Sequence, residues 1–316
     1  MKVLVSGANG LVGRALCPLL EQAGHEVRRV VRSSATSQEV EIGEINASTD
    51  WSVLLTQGIE AVVHLAARVH VMHTESIDAY KLYRDVNTLG TLKLAQQCAA
   101  SGVKRFVFVS TVKVHGEGRA APYQSSDSPV PEGAYAISKW EAEQGLQEIA
   151  AQTGMEVVIL RPPLVYGPGV GANLLRLIRA IDLGFPLPLG AVANRRSLIY
   201  LGNLIEAISV CLTHPIAAGK TYLLSDGEDV STPQLVQQIA AALGRPARLL
   251  PVSLGVIKFV GCLLGKKKEM ERLLGNLSVD SSPIQNELAW APPYTMRAGL
   301  TLTTEWYSKA KFLMRR

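Results

Sequence analysis

Apolar positions along this chain alternate between short unbroken runs and longer stretches at helical spacing. Val3-Leu4-Val5 and Ala61-Val62-Val63-His64-Leu65 are apolar throughout, as parallel strands covered on both faces are. Between the first run and the next, Leu11-Val12, Ala15-Leu16 and Leu19-Leu20 recur at helical spacing, which predicts an amphipathic helix. A second strand is predicted over 26–31, ending at Arg32, then a short strand near 40–42 and a brief helix from Trp51. A long helix over 77–101, a strand over 105–109, a helix over 134–151 and a strand over 157–160 follow. Strand and helix alternate throughout, which predicts an α/β doubly wound parallel sheet. After Arg161 the texture changes, with Pro162-Pro163, Gly167-Pro168-Gly169 and Pro186…Pro188 breaking the alternation. Residues 1–162 are therefore read as one domain. Residues 163–316 are read mainly as a smaller C-terminal α/β lobe, with some chain returning to the sheet.

Composition narrows this little. At 47% hydrophobic and 19% charged, 316 residues supply an ordinary globular core. The formal charge of +5 is not clustered beside aromatic residues, so nucleic-acid binding is not favoured, while an anionic small molecule would be attracted. Cys17, Cys98, Cys211 and Cys262 lie far apart and read as core thiols of a reducing, cytoplasmic compartment. The opening Met1-Lys2-Val3-Leu4-Val5 reads as a strand, not a secretory signal. The segment 249–265 is almost wholly apolar and precedes Lys266-Lys267-Lys268. It falls short of the ~20 residues of a spanning helix. It reads as a helix packed in the C-terminal lobe or, alternatively, as a membrane-surface contact across 249–268.

The candidate chemistry starts in the loop after the first strand, Ser6-Gly7-Ala8-Asn9-Gly10-Leu11-Val12-Gly13. Strand, glycine loop and helix are the context of a dinucleotide site. Gly7 allows the turn, Gly10 lets backbone approach a pyrophosphate, and Gly13 lets helix and sheet pack closely. Tyr135 and Lys139 are four apart and share a helix face. A tyrosine serves poorly as acid or base at its ordinary pKa of ~10, and a neighbouring ammonium improves it. Ser110-Thr111 stands at the carboxyl end of the preceding strand, where parallel sheets meet their ligands. The second strand ends in Arg32-Ser33 with no acid. An acid there would bond a ribose 2′-hydroxyl, whereas an arginine accommodates a 2′-phosphate. The expected cofactor is therefore NADP(H), with NAD(H) as the alternative.

With His64-Leu65-Ala66-Ala67, Asn87-Thr88-Leu89-Gly90-Thr91, Ser110 to Gly116, Arg161-Pro162-Pro163-Leu164-Val165-Tyr166-Gly167 and Leu288-Ala289-Trp290-Ala291-Pro292, the motifs run in family order over the whole chain. The sequence resembles the extended short-chain dehydrogenase/reductase family, in its nucleotide-sugar epimerase/dehydratase/reductase branch. That resemblance implies a Rossmann domain and roles for individual residues. Thr111 and Tyr135 would hold and protonate the reacting sugar oxygen, and Lys139 would tune Tyr135 and bond the nicotinamide ribose. Cofactor contacts are implied at Gly7, Asn9, Gly10, Leu11, Val12, Gly13, Arg32, Ser33, Glu44, Ile45, Leu65, Ala66, Ala67, Asn87, Ser110, Pro162 and Val165. Substrate contacts are implied at Lys113, Leu164, Asn173 and Arg196. Arg196 would grip the diphosphate of a UDP-sugar. Relatives commonly pair through helices here spanning 77–101 and 134–151, implying a homodimer.

Departures from the family pattern shape the expected reaction. Val112-Lys113 stand where 4,6-dehydratases place acids, so dehydration is not expected. Leu164, His115 and Asn203 replace an asparagine, a tyrosine and an acid. The resemblance favours NADP(H)-dependent reduction of the C4 ketone of a UDP-linked 6-deoxy-4-keto-hexosamine in surface-polysaccharide biosynthesis. Alternatives are a UDP-hexose 4-epimerase and a catalytically silent NADP-binding sensor. The histidines read as structural, and His70 with His73 has no third ligand in view, so no metal is expected.

Overall fold

A computed structural model describes residues 1–34, 36–69, 77–116, 118–263, 265, 270 and 273–313. His70 and His73 lie outside the described residues. Among the described residues ten strands are numbered in chain order: β1 Lys2–Ser6, β2 Glu26–Val31, β3 Glu39–Glu41, β4 Ala61–His64, β5 Arg105–Val109, β6 Glu156–Arg161, β7 Leu164–Tyr166, β8 Arg196–Tyr200, β9 Thr221–Leu223 and β10 Asp229–Val230. Seven of them form a parallel sheet in the order β3-β2-β1-β4-β5-β6-β9. The order reverses beside β1, which opens a crevice at the carboxyl edge. This is the doubly wound sheet expected.

The unbroken apolar runs follow from cover on both faces. Val3, Val5, Val63, Val107 and Val158 pack under α1 (Leu11–Gln22) and α7 (Leu201–Thr213) through Leu16, Leu20, Leu204 and Ile208. The alternate residues Leu4, Val62, Phe106, Phe108 and Ile159 pack under α4 (Thr91–Ala100) and α5 (Gly133–Thr153) through Leu94, Cys98, Ala142 and Leu146. The brief helix expected after Trp51 is α2 (Ser52–Leu55), whose Leu54 and Leu55 join that second layer. Successive strand side chains point to opposite faces, so a strand segment covered on both faces, such as Val3–Val5 or Ala61–Val63, is apolar at every position.

The predicted 77–101 helix differs in one respect. It comprises α3 (Ile77–Arg84), a π-helical turn over Asp85–Gly90, then α4. A π turn carries an extra residue, and this one turns Asn87 and Thr88 inward, where both are buried.

Beyond β6 the chain forms a second sheet, β10-β8-β7, with β8 parallel to β7 and antiparallel to β10. Its core joins Leu174 and Ile178 of α6 (Ala172–Asp182) to Val236 and Ile239 of α8 (Thr232–Ala242) and to Met296 and Leu300. The chain then returns, because β9 joins β6 in the large sheet and α7 packs on α1. Asp226, just after β9, ties the two sheets together. It accepts from the Tyr166 hydroxyl at 2.7 Å, the Tyr200 N–H at 2.8 Å and Asn203 Nδ2 at 2.7 Å. Asn203, which takes an acid's place, is thus a buried structural residue.

One expectation fails in the segment 249–265. The helix there, α9 (Leu254–Leu263), joins the core of the lobe through Ile257, with Gly261 also buried, and leaves the rest of its surface exposed. Cys262 is correspondingly exposed, whereas Cys17, Cys98 and Cys211 are core thiols as expected. A helix whose one charged residue is Lys258 gives no period to mark its inner face.

Candidate active site

Strands β1, β2, β4, β5 and β6 run parallel, so the segments after them meet along one edge. Gly7 has φ +71°, and a Cβ there would lie 2.8 Å from the Ala66 nitrogen. At Gly13 it would lie 2.5 Å from the Gly7 carbonyl oxygen. Residues 7–13 and 65–67 therefore meet backbone to backbone, and side chains would push the cradle apart. Gly10 caps α1 in an extended conformation without a side-chain bond. The first N–H groups of the helix, at Leu11, Val12 and Gly13, have no partner within it. They and the helix dipole suit an anion, with Asn9 exposed beside them. A dinucleotide pyrophosphate fits this cradle.

Asn87 fixes the cradle's far wall. Its Oδ1 accepts from the Arg68 N–H at 2.8 Å, while Nδ2 donates to the Arg68 carbonyl and to Ser138 Oγ, each at 3.1 Å. Arg32 and Ser33 are exposed just past β2. Arg32 pairs with Glu44 at 3.2 Å, and Ile45 beside it is buried. Both partners of the pair are exposed, so it contributes at most ~1 kcal/mol and exchanges readily for another partner.

Thr111, Tyr135 and Lys139 converge at the end of β5. Thr111 caps the short turn Val112–His115, accepting from the Lys113 N–H at 3.3 Å. Its hydroxyl faces the Tyr135 phenol and favours the ionised form. Burial outweighs this and pushes the phenol up to about 12. The Tyr83 ring stands edge-on to Tyr135, at 6.1 Å between centroids. Lys139 is buried, donates to the Val109 carbonyl at 2.8 Å and lies 4.2 Å over the Phe108 ring. Burial pushes its ammonium down to about 7, against the opposing pull of Glu143. The chain alone thus presents a protonated phenol beside an amine that titrates near neutrality.

Behind this trio lies a charged network that sequence reasoning missed. Glu143 is wholly buried and takes a forked contact from Arg161, through Nε at 3.1 and 3.2 Å and a second nitrogen at 2.5 Å. Ser110 Oγ also donates to Glu143, so the Ser110 hydroxyl is turned into the core. Arg161 donates to His115 Nε2 at 2.8 Å. His115 stacks on Tyr123 at 5.4 Å. The signal was Glu143 itself, four residues after Lys139 on a face otherwise made of Ala142, Leu146 and Ile149.

Two histidines are held neutral. His64 accepts from Ser6 Oγ at 2.6 Å and donates to Thr91 Oγ1 at 3.0 Å, roles assigned because Thr91 donates onward to the Asn87 carbonyl. Burial, aided by Lys139, pushes His64 down to about 3. Burial, aided by Arg161, pushes His115 down to about 4. Unfolded histidines titrate at ~6.5. Between pH ~6.5 and ~4 the unfolded chain binds about two protons that the folded chain refuses. Stability is therefore expected to fall on acidification, by up to ~2.7 kcal/mol per pH unit near pH 5. Urea unfolding at pH 7, 6 and 5 measures this, and a stability flat across that range contradicts neutral imidazoles.

On the substrate side the grouping is looser. Pro162 is buried and its carbonyl accepts from the Val112 N–H at 3.0 Å. Val165 is half-buried and Leu164 is exposed, both on β7. Asn173 is exposed in the first turn of α6. Arg196 opens β8 and donates to the Gly275 carbonyl at 3.1 Å, away from the trio's own hydrogen bonds. Among the described residues no three His, Cys, Asp or Glu side chains are grouped to hold a metal ion.

Comparison with known proteins agrees with this geometry. Residues 3–225 match the NAD dependent epimerase/dehydratase family. A UDP-glucose 4-epimerase of Vibrio cholerae is 42% identical over 98% of this chain and 96% of its own. An N-acetyl-alpha-D-glucosaminyl-diphospho-ditrans,octacis-undecaprenol 4-epimerase of Escherichia coli O157:H7 is 28% identical over 96% of this chain and 94% of its own. Among solved structures, MoeE5 in complex with UDP-glucose and NAD superposes with a TM-score of 0.79 at 26% identity, covering 98% of this chain and all of the other. With a dinucleotide cradle, a Thr–Tyr–Lys trio and a match over most of its length, this chain belongs to the NAD dependent epimerase/dehydratase family.

Proposed function

We propose that the protein reduces the C4 ketone of a UDP-linked 6-deoxy-4-keto-hexosamine, drawing on NADP(H). The observation that carries this is the convergence of Thr111, Tyr135 and Lys139 at the carboxyl end of β5, next to the cradle of residues 7–13. The bound nicotinamide supplies the hydride. Tyr135 gives its proton to the sugar O4, which Thr111 holds, and Lys139 orients the nicotinamide ribose. Leu65, Ala66 and Ala67 line the pyrophosphate and ribose, Pro162 and Val165 continue that wall, and Ile45 with Glu44 borders adenine. Lys113, Leu164 and Asn173 face the sugar side, and Arg196 takes the diphosphate with its fork. A UDP-sugar is supported by the UDP-glucose bound to MoeE5 and by the Vibrio cholerae relative. Val112 is buried and Lys113 is a cation. No carboxyl stands there to remove water, so the ketone comes from another enzyme.

A second reading, a UDP-hexose 4-epimerase, is favoured by Glu44, the acid that pairs with Arg32. An acid near the end of β2 suits the free 2′-hydroxyl of NAD. One experiment separates the readings. Protein, NADPH and a UDP-4-keto-6-deoxy-N-acetylhexosamine are mixed and nicotinamide absorbance is followed. Stoichiometric NADPH loss supports the reductase. No loss, together with interconversion of UDP-glucose and UDP-galactose without added cofactor, establishes the epimerase. On the first reading Arg32 and Ser33 bind the 2′-phosphate. Arg32→Ala is then expected to weaken NADPH binding about 10- to 100-fold and NADH binding little. Tighter NADH than NADPH binding by the native protein overturns the cofactor preference.

A further inference from the structure

The surface of α9 is built unlike that of the helices around the sheet. Val256 is 52% exposed, Phe259 66% and Leu263 71%, with Leu254 and Val260 also exposed. Leu250, just before the helix, is exposed and bonded through its backbone to Leu187. Leu187 follows the exposed Phe185, whose neighbour Gly184 accepts from Arg248 at 3.2 Å. The apolar patch thus continues from α9 onto the loop after α6. Contiguous apolar surface of this kind marks an interaction site.

Charge says what covers it. From Val230 to Lys268 the chain carries Arg245, Arg248, Lys258, Lys266, Lys267 and Lys268, and no acidic residue. Those six positive charges exceed the +5 net charge of the whole protein. Arg245 is paired with Asp182 at 3.4 Å, while Lys258 stands exposed on α9 itself. A two-fold interface between copies sets the same patch against itself, which would bring the two Lys258 ammonium groups toward each other. An anionic bilayer offers the opposite charge and an apolar layer beneath it. The helix has ten residues, about 15 Å at helical rise, half of a hydrocarbon core. Among the described residues no helix is long and apolar enough to cross a membrane, so the contact is with the surface.

We infer that α9 docks this protein on the surface of an anionic lipid bilayer, with Val256, Phe259 and Leu263 inserted at the headgroup boundary. The inference stands apart from the reaction catalysed. The test is co-sedimentation of the full chain with vesicles of equimolar phosphatidylglycerol and phosphatidylcholine, against phosphatidylcholine alone. Binding is expected only to the anionic vesicles and to weaken with salt. The triple variant Val256→Ser, Phe259→Ser and Leu263→Ser is expected to lose at least about tenfold in vesicle affinity. Its thermal midpoint and turnover stay unchanged, because these side chains face outward and lie outside the site. No sedimentation of the native protein, or equal sedimentation of the variant, overturns the inference. So does a native mass in light scattering that falls in the variant without vesicle binding, which assigns the patch to a second copy.

Discussion

Tyr135→Phe is expected to leave cofactor binding within about twofold of native and to lower turnover about 10²- to 10⁴-fold, the usual contribution of a positioned proton donor. The substitution removes one oxygen and keeps the ring that packs against Tyr83. The backbone cradle proposed for the cofactor is built from residues 7–13 and 65–67, apart from that oxygen. Burial pushes the phenol up to about 12, so at neutral pH it carries the proton a nascent alkoxide needs. Cofactor titration by fluorescence and turnover with substrate are read on the same preparation. Native turnover in the variant would remove Tyr135 from the chemistry.

Glu143→Gln is expected to destabilise the protein by about 3–5 kcal/mol, the cost of leaving a buried cation without its partner. Arg161 is buried and directs three contacts to this carboxylate. An amide keeps the shape but cannot neutralise the guanidinium. With its oxygen kept on Ser110 it sets an NH2 donor against the Arg161 guanidinium, and it loses the charge that favours ionised Lys139. Turnover should therefore fall even in molecules that remain folded. Replacing both partners, Glu143→Leu with Arg161→Met, is expected to recover at least half of the lost stability, since matched apolar pairs of similar volume are tolerated. Urea unfolding of the three proteins measures this. A double variant no more stable than the single one contradicts a pairwise origin of the loss.

What the sequence disclosed was local. The strands of the large sheet up to β6 were legible because two-sided burial forces runs such as Ala61 to Val63 to be apolar without alternation. The cradle was legible because Gly7, Gly10 and Gly13 act within a few residues of one another. Tyr135 and Lys139 were legible because one helical turn joins them. The charged network was not, because Glu143 and Arg161 are brought together by α5 and β6 packing, not by spacing. Ser110 reads as a cofactor contact in sequence, and only the fold turns its hydroxyl onto Glu143. In the C-terminal lobe the strands are two to five residues long, too short for a period to emerge. The orientation of α9 was hidden for the opposite reason, a surface apolar all round but for Lys258.

The π turn over Asp85–Gly90 puts the two parts of its helix out of phase. Each residue of an α-helix advances about 100°, so one extra residue rotates α3 by about that angle against α4. In that setting α3 presents Tyr80 and Arg84 to Glu141 of α5, while α4 presents Leu94 and Cys98 to the sheet. Winding the same residues as a regular α-helix would swing one of these faces away from its partner. Deleting one residue within 85–90 removes the extra residue and keeps both faces aligned, whereas deleting two puts them about 100° out of phase.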